Sequence, residues 1–172
     1  MQTLVQRNNI ISQVRYCSDA LEGKKVIEGV VIKNLKTHKD KRGFFREIFC
    51  FSTEFRDISV EQLSHSLVNE GVVKAWHAHK FQSQWNYVVS GLVKVVLIDD
   101  RPHSPTYKEI MEFKIGALEE PLAYFFPPYV LHGYKCLEGP VHIIYVTSGI
   151  YDLTDELRLQ CDDSKISYKW HQ

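Results

Sequence analysis

The 172-residue sequence has no long apolar run and no excess of either charge. A membrane-spanning helix needs about 18 to 20 consecutive apolar residues, so none is predicted. The 21 basic and 21 acidic residues cancel, which argues against a protein that binds nucleic acid through bulk positive charge. A locally cationic cleft for a phosphorylated small molecule stays compatible with this balance.

The sequence also lacks closely spaced cysteines, since Cys17, Cys50, Cys136 and Cys161 form no CxxC pair. A zinc ribbon or a dithiol redox motif is therefore not predicted, and reduced, structural thiols are expected. The N-terminal segment is too polar for a secretory signal, which requires an apolar central region. These features predict a cytoplasmic protein with no membrane partner.

The pattern of apolar residues along the chain changes near residue 24. Residues 1–23 carry apolar side chains at loosely helical spacing, which predicts an N-terminal arm or short helix. Residues 24–172 contain about ten short β-branched and aromatic runs separated by turn signals, with no long amphipathic helix between them. This pattern predicts an all-β fold, an antiparallel β-barrel or jelly roll.

The strands can be placed approximately. A hairpin is predicted from VIEGVVIKNL through the polar turn THKDKRG to FFREIFCF, because turn residues separate two apolar runs. The later candidate strands are VEQLSHSLV, GVVKAWHA, WNYVVSG, LVKVVLIDD, TYKEIMEFKI, LAYFFPP, VLHGYKCL and VHIIYVTSG.

Two histidines stand two residues apart in the segment GVVKAWHAHKFQSQWNYVVSG. On a strand, His77 and His79 share a face and converge on one point inside a barrel. The spacing of this segment resembles the first motif of the cupin superfamily, with Gln84 where glutamate is usual. The segment PPYVLHGYKC resembles the second cupin motif, although Tyr129 and Cys136 replace its glycine and asparagine.

The cupin resemblance implies a β-barrel whose motif positions can hold one divalent transition metal. The ligands would be His77, His79, Gln84 and His132. Imidazole suits iron, nickel, copper or zinc, while the missing carboxylate leaves the set neutral and weakens binding of a hard cation. The alternative is that these side chains hydrogen-bond inside the barrel without a metal.

A narrower resemblance covers residues 29–170. The pieces DKRGFFREIF, QLSHS, GVVKAWH, VVSGLVKVVLIDDRPHSPTY, PPYVLHGY, IIYVTSGIY and DDSKISYKW resemble, in order, the dTDP-4-dehydrorhamnose 3,5-epimerase family of nucleotide-sugar epimerases. The resemblance implies a homodimer that inverts carbons beside the ketone of a nucleotide-linked 4-keto-6-deoxy sugar, in polysaccharide or deoxysugar biosynthesis. Histidine suits the proton abstraction because its pKa lies near working pH.

By the same resemblance, His77 is the catalytic base and Tyr145 the acid on the opposite face of the sugar. The implied substrate-binding residues are Arg42, Glu47, Gln62, Lys74, Gln84, His132 and Tyr151. A guanidinium suits a diphosphate, and a tyrosine ring offers a platform for a nucleotide base. Each also has a simpler interpretation; Arg42, for example, can pair with the nearby Asp40.

Three departures from the family pattern stand out. Lys74 replaces an arginine, and Gln84 replaces a lysine suited to stabilising an enolate oxygen. The family's aspartate that orients the base has no counterpart, and we expect Asp162, Asp163 or a residue of another subunit to replace it. No cofactor is expected for an epimerase. The alternative functions are a metal-dependent cupin enzyme and a non-catalytic sugar-binding cupin.

Overall fold

The computed structural model describes residues 26–118 and 121–170. The predicted N-terminal arm, residues 1–23, lies outside the described residues. The described chain holds one short helix, α1 (Phe51–Glu54), and ten strands. The strands are β1 (Val31–Asn34), β2 (His38–Asp40), β3 (Gly43–Phe45), β4 (Gln62–Val68), β5 (Val73–His79), β6 (Gln84–Asp99), β7 (Ile110–Gly116), β8 (Leu122–Phe126), β9 (Val130–Thr147) and β10 (Glu156–Arg158).

Every strand pairing is antiparallel. The main eight-stranded sheet runs in the order β1-β8-β6-β9-β5-β10, with β4 also paired to β9 and β7 to β6. The remaining strands, β2 and β3, form a separate hairpin. The all-β antiparallel fold predicted from the sequence is confirmed. Within the described residues, no helix is long and apolar enough to cross a membrane.

Two pairs of predicted strands are each one long, bent strand. WNYVVSG and LVKVVLIDD merge into β6, while VLHGYKCL and VHIIYVTSG merge into β9. Gly91 has a φ of +80°, and a Cβ there would lie 2.5 Å from the carbonyl oxygen of Glu138. Register shifts between β6 and β9 surround this glycine. Bulges bend the strands without ending the ladder, so the glycine marks a bend rather than the predicted turn.

The predicted N-terminal hairpin also differs from the observed one. Its first run contributes β1, which pairs with β8 instead of with the following segment. The hairpin itself joins β2 to β3 and consists entirely of exposed residues. The three-residue strand β10, which pairs with β5, was not predicted from the sequence.

The hydrophobic core packs on both faces of the main sheet. Trp76 and Trp170 are almost fully buried, and their ring centroids lie 5.1 Å apart. A larger cluster that includes Val95, Leu97 and Ile115 fills the space between β6, β7 and β9. Packing on both sides therefore holds β5, β6 and β9 rigidly, and their remaining inward side chains surround a cavity.

Candidate active site

An open cavity of about 270 Å³ lies inside the barrel. Its walls come from β4, β5, β6, β8, β9 and β10, together with the segment before β10. Seven of the nine predicted site residues line it: Gln62, Lys74, His77, Gln84, His132, Tyr145 and Tyr151. The other lining residues are Ser64, His79, Gln82, Asn86, Tyr124, Gly133, Tyr134, Thr147, Asp152 and Glu156.

Three imidazoles form one wall. His77 and His79 lie on the same face of β5, and His132 on β9 is the direct cross-strand partner of His77. The ring centroid of His132 lies 6.1 Å from that of His77 and 5.8 Å from that of His79. The predicted convergence of the two β5 histidines on one space is therefore observed.

His77 has a carboxylate partner, Glu156 at the start of β10. The Nδ1 atom of His77 lies 2.8 Å from Oε1 of Glu156, whose side chain is only 9% exposed. Burial opposes ionisation of Glu156, but hydrogen bonds from Arg158 and His77 outweigh it and hold the pKa of the carboxyl below its ordinary value. A charged carboxylate at Nδ1 fixes the tautomer and leaves Nε2 to accept a proton.

The expectation that Asp162 or Asp163 would take this place is wrong. Neither residue lines the cavity, and a carboxylate oxygen of Asp163 instead accepts a hydrogen bond from the backbone of Lys165. Glu156 takes the place because β10 pairs with β5, which brings Glu156 and Arg158 alongside the histidine strand.

His79 has a carboxylate partner of its own. Its Nδ1 atom lies 3.1 Å from Oδ2 of Asp155, and the other oxygen of Asp155 accepts the backbone N–H of Phe81 at 2.7 Å. The Asp155 side chain is 3% exposed and that of His79 is 16% exposed. His77 and His79 of β5 therefore each have their own carboxylate partner, Glu156 and Asp155.

His132 differs from both because its Nδ1 atom faces a backbone carbonyl, that of Val130, at 3.1 Å. Its ring packs on Phe126, with centroids 4.3 Å apart. Burial, together with repulsion from His79, lowers the pKa of His132 to about 3. The ring is therefore neutral at physiological pH, with the proton on Nδ1 and an acceptor at Nε2.

Hydroxyl groups form another cluster beside the histidines, on β9 and β4. The hydroxyl oxygen of Tyr145 lies 2.8 Å from that of Tyr134 and 3.2 Å from that of Ser66. Burial, reinforced by the neighbouring Tyr145, raises the pKa of the Tyr134 phenol far above its usual range. Tyr134 therefore remains a phenol that can donate to Tyr145.

An amide pair lies beside these tyrosines on β6. Gln84 donates from Nε2 to Oδ1 of Asn86 at 2.6 Å, and both side chains are buried. Asn86 is the cross-strand partner of Tyr145, and its Nδ2 atom has no hydrogen-bond partner among the described residues. This pair lies where the family resemblance implies a lysine ammonium.

The cavity mouth carries longer polar side chains. Gln62 accepts the backbone N–H of Tyr151 at 2.8 Å, which ties the segment after β9 to β4. The Tyr151 ring is 62% exposed, and Lys74 is also exposed. An aromatic ring and an ammonium are therefore available at the entrance.

The two other predicted contacts, Arg42 and Glu47, do not line the cavity. The Arg42 guanidinium is 83% exposed and pairs with Asp40 through Nε at 3.1 Å and Nη2 at 2.5 Å. Arg42 sits in the turn of the β2-β3 hairpin, and Glu47 is exposed just beyond it. The pairing with Asp40 is the simpler interpretation that the sequence already offered.

The four predicted metal ligands can be tested for fit. The Nδ1 atoms of all three histidines have protein partners, and Gln84 is engaged with Asn86. Among residues 26–118 and 121–170, no group of three or more His, Cys, Asp or Glu side chains is arranged to hold a metal ion. The Nδ1 contacts leave Nε2 of each ring to a proton or to a metal ion, but the three rings are not arranged as a ligand set within the described residues.

Sequence analysis missed the two carboxylates, Asp155 and Glu156, as well as Asn86 and Tyr134. A signal for the carboxylates was present in DELR, two adjacent acids followed by residues of alternating polarity. That pattern fits the start of a strand, but nothing in it identifies β5 as the partner.

Comparisons with known proteins found a matching family model and several sequence relatives. The sequence model of the dTDP-4-dehydrorhamnose 3,5-epimerase family matches residues 24–172. The Bacillus subtilis spore coat polysaccharide biosynthesis protein SpsL is 36% identical over 149 residues, which are 85% of this chain and 97% of the relative. A probable low-salt glycan biosynthesis epimerase of Haloferax volcanii, Agl13, is 32% identical over 150 residues, 84% of this chain and 95% of the relative.

A solved structure shares the fold. NovW, a 4-keto-6-deoxy sugar epimerase from the novobiocin biosynthetic gene cluster of Streptomyces spheroides, superposes with a TM-score of 0.78 at 23% identity. The match covers 87% of this chain and 78% of that one. At this identity the likeness concerns the fold alone.

Proposed function

Since the chain belongs to the dTDP-4-dehydrorhamnose 3,5-epimerase family, we propose that it epimerises a nucleotide-linked 4-keto-6-deoxy sugar at C3, C5 or both. The observation that carries the proposal is the pairing of His77 with Glu156 in a cavity that Tyr145 also lines. Relatives named for spore coat polysaccharide and glycan biosynthesis support a role in polysaccharide assembly.

The first step is abstraction of a proton beside the ketone. His77 accepts the proton at Nε2, while Glu156 stabilises the resulting imidazolium through Nδ1. Such an oriented base accelerates proton transfer by roughly 10² to 10⁴-fold. The electron pair of the broken C–H bond moves to the ketone oxygen, where side-chain donors such as the amide of Gln84 stabilise the enolate.

The second step returns a proton on the opposite face of the sugar. Tyr145 donates from its hydroxyl, and the hydrogen bond from Tyr134 stabilises the phenolate that forms. Inversion follows because the two faces of the enolate meet different walls of the cavity.

Binding of the nucleotide is assigned to the cavity mouth. Tyr151 offers a stacking surface for the base, and Lys74 offers a cation for the diphosphate. Gln62 and His132 offer hydrogen bonds to the sugar. Arg42 and Glu47 stay predictions, because they contribute only if another copy of the chain presents them.

We infer a homodimer from exposed apolar surface. Phe44 and Phe45 of the β2-β3 hairpin are 46% and 63% exposed, and Leu63 on the outer face of β4 is 70% exposed. Burial of such side chains stabilises association. Light scattering after size exclusion is expected to give twice the mass of 20.1 kDa, and a monomer would contradict the inference.

We place the reaction in the cytoplasm, where free thiols such as those of Cys50, Cys136 and Cys161 stay reduced. We also propose that side chains alone transfer the protons, because the three histidines of the cavity are not arranged as a ligand set for a metal ion within the described residues. Protein dialysed against a chelator is expected to keep full activity. A stoichiometric transition metal whose removal abolishes activity would favour the metal-dependent alternative.

The decisive experiment is exchange in heavy water. The protein is incubated with dTDP-4-keto-6-deoxyglucose, the 3,5-epimer of dTDP-4-dehydrorhamnose, and the product is followed by NMR. Deuterium is expected at C3, C5 or both, together with the inverted sugar. If neither carbon takes up deuterium with dTDP, GDP or CDP sugars, the chain is a sugar-binding protein and the proposal fails.

A further inference from the structure

The proposed epimerisation uses one histidine–carboxylate pair, but the cavity has two. The second pair, His79 with Asp155, has no assigned role.

The Asp155 carboxylate is built into the fold. Both of its oxygens accept hydrogen bonds, one from Nδ1 of His79 and one from the backbone N–H of Phe81. The backbone of Asp155 also accepts from Lys80 at 3.1 Å and donates to Asp152 at 3.1 Å. A carboxylate that is 3% exposed carries a desolvation cost, which its partners must offset. The contact with His79 is therefore a fixed feature of the site rather than a surface ion pair.

The remaining nitrogen of His79 is available to a ligand. Nδ1 is occupied by Asp155, and the side chain lines the cavity, which leaves Nε2 for a molecule bound there. The neutral ring of His132 lies near both pairs, with its centroid 5.8 Å from that of His79 and 6.1 Å from that of His77. Two oriented imidazoles thus share one wall of the cavity with a neutral one.

Side chains that converge from these two positions can reach two carbons of one sugar ring. Residues two apart on a strand have Cα atoms about 6.6 Å apart, and their side chains point the same way. The two acidic carbons of a 4-keto sugar are separated only by the carbonyl carbon. Side chains from neighbouring positions of β5 can therefore approach these carbons from the same side.

The geometry points to His79 as a second catalytic base that serves one of the two carbons beside the ketone, with His77 serving the other. The inference rests on the proposed function. At each carbon the C–H bond breaks, an N–H bond forms at Nε2, and the electron pair moves to the ketone oxygen. A proton from Tyr145 then forms the new C–H bond, after which solvent takes the histidine proton and returns one to the phenolate.

The test is site-resolved exchange with dTDP-4-keto-6-deoxyglucose in heavy water. His79→Asn is the main variant, because its amide can still donate to Asp155 while Nε2 is lost. We expect deuterium uptake at one carbon to fall by about 10²-fold, and uptake at the other to stay within about threefold. In His77→Asn the pattern is expected to be reversed: uptake falls at the carbon that His77 serves and persists at the carbon that His79 serves. Asp155→Asn should slow the same carbon as His79→Asn.

A matched control is available on the outer face of the barrel. His65 lies on β4, where its Nε2 atom is 2.9 Å from Nδ1 of His142, and it is exposed. His65→Asn is expected to leave exchange at both carbons unchanged. His79→Gln serves as a second variant if the asparagine variant melts early or fails to bind dTDP.

The outcomes separate the inference from the proposed function. If the unaltered protein exchanges hydrogen at neither carbon, the proposed function is wrong. Exchange at a single carbon by the unaltered protein overturns only the inference of two bases. Equal losses at both carbons in His79→Asn, or no loss at either, also overturn it while the epimerase function stands.

Discussion

The Nδ1 atom of His77 lies 2.8 Å from Oε1 of Glu156, 79 residues further along the chain. Arg158, two residues beyond, donates to the other carboxylate oxygen at 2.6 Å. The glutamate is therefore held charged and in one orientation, and it in turn orients the imidazole. The proposed base depends on a contact between two strands that are distant in sequence.

Replacing Glu156 with glutamine is expected to lower kcat by roughly 10²-fold with little change in KM. The amide can keep a hydrogen bond to His77 but cannot stabilise the imidazolium by charge. Steady-state kinetics check the split between kcat and KM. Arg158→Gln, which leaves the dyad in place, should have the smaller effect, and a glutamine variant with unchanged kcat would remove Glu156 from the mechanism.

Replacing Tyr145 with phenylalanine should separate proton loss from inversion. The variant lacks the donor for the opposite face, so epimerised product is expected to fall by about 10²-fold. His77 can still remove the proton beside the ketone, so solvent deuterium should still enter with retained configuration. Tyr134→Phe removes only the supporting hydrogen bond and should slow inversion less; equal rates for both variants would contradict the assignment of Tyr145 as acid.

Acid should destabilise the protein partly through His132. Its pKa is about 3 in the folded chain against an ordinary value of 6.5, so the unfolded chain takes up the proton first as pH falls. The stability contributed by the neutral ring is fully present above about pH 6.5 and declines towards pH 3. At pH 4.5 the loss is on the order of 2 kcal/mol. Urea unfolding at pH 7 and pH 4.5 should show a smaller decline for His132→Gln, and an equal decline would contradict the prediction.

Gly133 should not tolerate a side chain. A Cβ there would lie 2.5 Å from Cβ of Ala75 and 2.9 Å from Cζ2 of Trp170. Gly133→Ala is therefore expected to destabilise the fold by about 1 to 3 kcal/mol, measured by urea unfolding. Adding Ala75→Gly removes one of the two clashes and should recover part of the loss. If the double variant were no more stable than Gly133→Ala, the clash would not be the cause.

Much of the fold was predictable because its signals are local. Short β-branched and aromatic runs separated by turn residues predicted the antiparallel sheet. The bends were not predictable, because Gly91 reads as a turn unless the opposing backbone at Glu138 is known. A bulge and a turn use the same residue, and only the pairing of β6 with β9 distinguishes them.

The candidate site also combines features that the sequence predicts with features that only the fold determines. The sequence by itself determined that His77 and His79 share a face of one strand, since side chains alternate along any strand, and its motifs determined the family. Only the tertiary structure decided which acids serve these histidines. Asp155 and Glu156 lie more than 70 residues away, and the pairing of β10 with β5 selects them over Asp162 and Asp163. Strand pairing is a non-local choice made by packing of the whole barrel, so no local pattern in the chain encodes it.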